Sequence, residues 1–268
     1  MIDKLPENIP LKYPVVLVHG IACRDKTKKD EELSWGPIPE MLCSRGVQVY
    51  FGHSDSWASI ENNAQQIKDT VNNIIDSTGC SKVNIIAHSK GGLEARYMIT
   101  HLGMEDKVAS LTTMDTPHRG VVIADIIYKY TPAKIIKKLG QLVDKRAKRL
   151  GDTEPNTYVV GTELSIAGCE EFNRVVPDSD KVFYQSVSCD KLPRFSPKYA
   201  FTSLWLRVHG YKHTDGIVPD ISSEWGQCLK VHGLDHDNLR GQCIFTKQRQ
   251  LMMLLYFNLM MILISKGM

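Results

Sequence analysis

The chain has 268 residues, 43% apolar and 24% charged, which is ordinary globular usage and excludes collagen-like, coiled-coil and wholly disordered classes. Lys and Arg number 33 against 30 Asp and Glu; the net charge of +3 is too small for a molecule whose whole surface binds nucleic acid. One large α/β domain carrying an insertion fits the length as well as two domains would. Seven cysteines at 23, 43, 80, 169, 189, 228 and 243 show no zinc-type spacing and read as reduced, structural thiols, with pairing of Cys228 and Cys243 left open. The start, MIDKLPENIPLKYPVVLVHG, lacks a basic region followed by a cleavable apolar core. A cytoplasmic protein is the expectation, and secretion would require a leader ahead of this sequence.

In chain order, PVVLVHG (14–20) predicts a first strand, followed by a polar loop and a helix near Pro37 to Ser44. VQVYFG (47–52) predicts a second strand. Ile60, Ala64, Ile67, Val71 and Ile74 then recur at spacings of three and four, the stripe of an amphipathic helix that Gly79 would stop. VNIIA (83–87) is apolar enough for a central strand buried on both faces, and GGLEARYMITHL follows as a helix. Strands are expected at SLTTM (110–114), VFYQSV (182–187) and CLKVH (228–232). Such alternation implies an α/β fold, a mostly parallel central sheet with helices on both faces.

Residues 117–181 depart from that alternation. Ile135, Ile136, Leu139, Leu142, Val143 and Leu150 share one helical face, and from Lys129 to Arg149 eight basic residues stand against one acid, Asp144, a local charge of +7. Two readings stay open: a solvated helix packing its stripe onto the domain, or a helix that also touches a lipid surface. The apolar run at 251–264 is too short to span a bilayer, which takes about 20 residues, and reads as a buried terminal helix.

The sharpest chemical signal is AHSKG (87–91) between an apolar strand and a helix. A nucleophilic serine must project from a tight strand-to-helix turn, and small residues two before and two after it relieve the crowding; Ala87 and Gly91 are those residues around Ser89. A helix-capping serine is the plainer alternative. His19 and Gly20 close the first strand, where a sharp turn could present the Ile21 N–H beside that of Lys90, two fixed donors for the oxyanion of acyl transfer.

Together PVVLVHG, VNIIAHSKGGLEARYMI, LTTMDTPHRG, HTDGIVP and GLDHDNL resemble the α/β-hydrolase fold and, within it, the bacterial triacylglycerol lipases, over about residues 13–240. The resemblance implies a single α/β-hydrolase domain over 1–268, with a helical lid or cap inserted at about 117–181. It implies a serine carboxylic ester hydrolase with Ser89 as nucleophile, Asp215 as acid and His236 as base. Asp115 and, more weakly, Asp220 compete for the acid, and His232 competes for the base. His19, His88 and His118 lie inside family motifs and read as structural hydrogen-bonders. The expected substrate is an acylglycerol or related ester, with short-chain esterase, phospholipase, thioesterase, a more remote peptidase and a catalytically silent lipid- or partner-binding relative as alternatives. Transient contact of the basic helix with a lipid–water interface is expected, and nucleic acid is not. No cofactor is implied, since dinucleotide, Walker and HExxH motifs are missing. Asn238 stands where related lipases carry a calcium-ligating aspartate, and no metal is expected.

Overall fold

A computed structural model describes residues 6–25, 34–192 and 196–268. Part of the polar loop expected after the first strand, 26–33, lies outside them. The described chain runs β1 (Val15–Val18), α1 (Ile38–Cys43), β2 (Val49–Phe51), α2 (Ile60–Thr78), β3 (Val83–His88), α3 (Gly91–His101) and β4 (Val108–Met114). Four helices follow before the next strand: α4 (Val122–Tyr130), α5 (Ala133–Leu150), α6 (Thr157–Glu163) and α7 (Ile166–Val175). Then come β5 (Phe183–Lys191), α8 (Ala200–Val208), α9 (Asp220–Ser223), β6 (Gln227–His232) and α10 (Thr246–Ser265).

The six strands form one sheet in the order β2-β1-β3-β4-β5-β6, each neighbouring pair parallel. Parallel strands are covered on both faces, so successive residues must serve opposite cores. Val15 and Leu17 join Ile38 and Leu42 of α1 and Leu255, Tyr256 and Leu259 of α10 on one side. Val16 and Val18 join Ala64, Ile67 and Val71 of α2 and Met98 and Ile99 of α3 on the other. The α2 stripe read from the sequence is therefore the face that packs. Ser59 caps that helix by accepting the Asn62 N–H at 3.2 Å, and Gly79, in the left-handed conformation at φ 72°, ends it.

β1 and β3 are adjacent although α1, β2 and α2 intervene, so the strand order reverses between them. In an open parallel sheet, ligands bind outside the carboxyl ends of the strands at such a reversal. The turns at Gly20 and Ser89 both lie there.

The segment between β4 and β5 holds four helices where the sequence pattern singled out one; α4, α6 and α7 are short, at 9, 7 and 10 residues. Carboxylates fasten it at several points. Asp55 accepts the N–H groups of Thr153 and Glu154, Glu163 accepts the Ile60 N–H at the start of α2, and Asp144 accepts the Thr157 N–H. A third apolar cluster, with Ile60, Leu93, Val160, Leu164 and Phe172, seats α6 and α7 on the core. By contrast, α5 buries only Gly140 and Ala147. The C-terminal run forms α10, buried along Met252, Leu255, Tyr256, Leu259 and Leu263, and no described helix is long and apolar enough to cross a membrane.

Candidate active site

β3 delivers Ser89 into the tight turn that precedes α3, and Ser89 has a positive φ of 55°. That conformation is costly for a residue with a Cβ and persists only where its surroundings hold it. They do so here: the Ser89 N–H donates to Met114 O at 2.9 Å and the Ser89 carbonyl accepts the Gly92 N–H at 3.1 Å. Small neighbours are a steric requirement. A Cβ on Gly91 would lie 2.5 Å from the His19 carbonyl oxygen, and one on Gly20 would lie 2.6 Å from the Ser89 Cβ. Lys90, completely buried, ion-pairs with Glu94 one turn on, and Glu94 also accepts from Asn63 at 2.7 Å, which pins the first turn of α3 to α2.

The structure brings Ser89, His236 and Asp215 together in one buried chain of hydrogen bonds. The Ser89 hydroxyl donates to His236 Nε2 at 3.1 Å, and His236 Nδ1–H donates to Asp215 Oδ2. Asp215 Oδ1 accepts the N–H groups of Ile217 and Val218 at 2.8 and 2.7 Å, so the carboxylate is fixed at both oxygens. His236 lies in the loop after β6, and its own N–H bonds the Asp215 carbonyl at 3.1 Å. His88 Nε2–H donates to the His236 carbonyl at 2.8 Å; burial holds the His88 imidazole well below its ordinary pKa, in the neutral form. Tyr256 of α10 supports the same loop through a 2.8 Å bond to Leu239 O.

The other candidates lie elsewhere or in other partnerships. His232 ends β6 with a side chain 70% exposed and pairs with Asp190. Asp220 begins α9, accepts the Ile221 N–H and faces Lys230. His118 is buried, bonded to Thr113 and stacked on Trp225, and the His19 Nε2–H donates to Ser54 O at 3.0 Å. Asn238 accepts the Asp235 N–H while its own N–H returns to Asp235, a reciprocal pair that closes the histidine loop. Asp115 is different: it sits against Asp215 itself, an arrangement that the two acids' separation by a hundred residues hid from sequence reasoning. All seven cysteines are free thiols, with Cys169 and Cys189 buried.

Among the described residues, the N–H groups of Ile21 and Lys90 donate to no other protein group. Ile21, Ser89 and His236 line a cavity of about 570 Å³ whose remaining wall is mostly apolar: Trp57, Val121 and Ile123, then Ile136, Leu139 and Val143 of α5, Val160 and Leu164, and Ile217 and Val218 beside the acid. Such a space suits an acyl chain whose carbonyl stops at Ser89. α8 also reaches the cavity through Thr202; its position had no sequence signal strong enough to place it.

A family model described as palmitoyl protein thioesterase matches residues 14–168. A triacylglycerol lipase of Pseudarthrobacter phenanthrenivorans is 38% identical over 119 residues, 43% of this chain and 36% of that protein. Triacylglycerol lipase 2 of Saccharomyces cerevisiae is 29% identical over 271 residues, covering 84% of this chain and 78% of that one. The crystal structure of a Bacillus licheniformis lipase in mature form superposes with a TM-score of 0.71 at 20% identity, over 96% of both chains, which shows the α/β-hydrolase fold. The match spans only about a third of the length of the Pseudarthrobacter lipase and of a triacylglycerol lipase of Burkholderia plantarii.

Proposed function

The chain belongs to the palmitoyl protein thioesterase family, and from that premise we propose that it is a serine carboxylic ester hydrolase cleaving acylglycerol esters. The observation that carries the reading is the buried chain Ser89, His236, Asp215 opening on an apolar cavity. His236 takes the Ser89 proton as Oγ attacks the ester carbonyl, and Asp215 orients the ring and stabilises the imidazolium that forms. The Ile21 and Lys90 N–H groups hold the oxyanion. His236 then gives the proton to the leaving alcohol, and water repeats the cycle on the acyl-enzyme. Lipase names among the relatives support the acylglycerol substrate.

In the same reading the 117–181 segment is a lid on a single hydrolase domain. α4 and α5 wall the cavity, while Tyr130, Leu139 and Leu142 stand exposed on them amid the +7 charge. This lid makes transient contact with a lipid–water interface.

The description of the matching family favours a second reading, hydrolysis of a long-chain acyl thioester, which needs the same residues and the same apolar tunnel. One experiment separates them. Initial rates are measured on p-nitrophenyl esters from acetate to palmitate, on emulsified triglyceride and on a palmitoyl thioester, with Ser89→Ala as blank. Triglyceride turnover that disappears in the variant is the expected result; preference for the thioester would select the second reading. Absence of turnover on every substrate would defeat both.

A further inference from the structure

Asp115 follows β4 directly, is completely buried and has a positive φ of 43°. Aspartate is among the few residues that tolerate this conformation, and its cost suggests that the turn is held for a reason. Its N–H bonds Val187 O at 3.0 Å, and its Oδ1 accepts the Cys189 N–H at 2.8 Å, both on β5. Oδ2 meets no ordinary donor among the described residues. What the carboxyl faces is another carboxyl. Ligand atoms of Asp115, Asp215 and His236 lie within 4.8 Å of one another, and the two acids are within hydrogen-bonding reach.

Two carboxylates sharing a buried site cannot both ionise cheaply. Three N–H donors converge on Asp215, so of the two acids it is the one whose negative charge the surrounding donors offset. The titratable groups that face Asp115 are Asp215 from the loop before α9, the Cys189 thiol from β5 and His236 from the loop after β6. None of them brings a permanent positive charge. Burial, and then the Asp215 charge, push the Asp115 carboxyl well above the usual carboxylate range.

We propose that Asp115 is a positioning residue whose carboxyl O–H donates a hydrogen bond to the Asp215 carboxylate while its Oδ1 stays on the Cys189 N–H. The inference rests on the reading of Asp215 as the acid of the triad. Asp115 is then neither a rival acid nor a bystander. It clamps the triad acid without adding a second negative charge, so the Asp215–His236 pair carries one charge that the forming imidazolium balances. A buried carboxyl kept neutral so that it can donate is known enzyme chemistry.

The design makes Asn an adequate substitute, because its amide donates to Asp215, accepts from Cys189 and tolerates the left-handed turn. Asp115→Asn is expected to keep kcat within about threefold and the acid limb of the pH profile in place. Asp115→Leu, which loses the donor, is expected to lose about tenfold to a hundredfold in kcat with KM nearly unchanged. Difference infrared spectra of the wild type against Asp115→Asn at neutral pH, recorded without substrate, should show a protonated carboxylic-acid carbonyl band that the variant lacks. Absence of that band, or an Asn variant as impaired as the Leu variant, or an acid limb displaced in the Asn variant, would overturn the proposal. Should Ser89→Ala hydrolyse esters as the wild type does, the catalytic reading fails, and the infrared band still decides where the proton resides.

Discussion

α2 and α5 are nearly equal in length, 19 and 18 residues, and both carry an apolar stripe, yet they use it differently. α2 buries six residues against the sheet and α3. α5 buries two, leaves Leu139 58% and Leu142 63% exposed, and turns Ile136, Leu139 and Val143 to the cavity. Amphipathicity is thus a statement about two environments, and only in α2 is the second one a packed core. Within the 117–181 segment, α6 and α7 are held by apolar burial and by carboxylates on backbone N–H groups, whereas α5 has little burial of its own; the sheet is held by apolar burial throughout.

The contrast can be broken most sharply at the core. Ser89→Ala should lower kcat by about four to six orders of magnitude with the melting temperature almost unmoved, because the hydroxyl is used in the reaction and hardly in folding. Stopped assays and a thermal melt on one preparation check both halves. Next is Gly20→Ala. Its Cβ would press on Ser89 at 2.6 Å and displace the turn that carries Ile21, so a loss of about 10² to 10³ in kcat is expected with little change in KM.

The third prediction concerns the join between the two regions. Burial raises the Glu163 carboxyl from its ordinary value to about 7, only partly opposed by the Ile60 N–H. Its folded-state pKa lies above its unfolded one, so its contribution is complete below about pH 4.5 and is lost as the pH climbs through 7, a change of up to about 3 kcal/mol. Glu163→Gln should remove that slope. Denaturant melts at acid and alkaline pH should therefore converge in the variant and diverge in the wild type; equal slopes would place the insertion's anchorage elsewhere.

The smallest effect tests the cavity wall that α5 supplies. Ile136→Asp should cut kcat/KM on a palmitate ester about tenfold, leave the acetate ester near wild type and hardly move the melt, because the side chain lines the cavity on a helix with little packed core of its own. Equal losses on both esters would show that α5 contacts no acyl chain.

The strands and the nucleophile turn were legible because their signals are local. VNIIA is buried on both faces as its apolar run implied, and the Ser89 turn needs the small residues that stand beside it in sequence. Asp215 and His236 were legible only through resemblance to a family, since nothing within either segment says that the two meet. The four-helix content of 117–181 was under-read because α4, α6 and α7 draw their order from long-range ties such as Glu163 to Ile60 and Asp125 to Ile166. For Asp115 the sequence offers only competition with Asp215 for one role; nothing in it says that the two carboxyls meet.

The hydrogen bond between Ser89 and His236 joins residues 147 apart in the chain. During synthesis the residues of β1, β3, β4 and the Ser89 turn emerge first; His236, the proposed base, emerges much later, and its loop leans on Tyr256 of a helix later still. A polypeptide interrupted anywhere before that helix would therefore lack both the support of the His236 loop and one face of the core that holds β1. On the proposed mechanism, activity is therefore acquired only when the last helix is in place, well after the Ser89 turn has been synthesised.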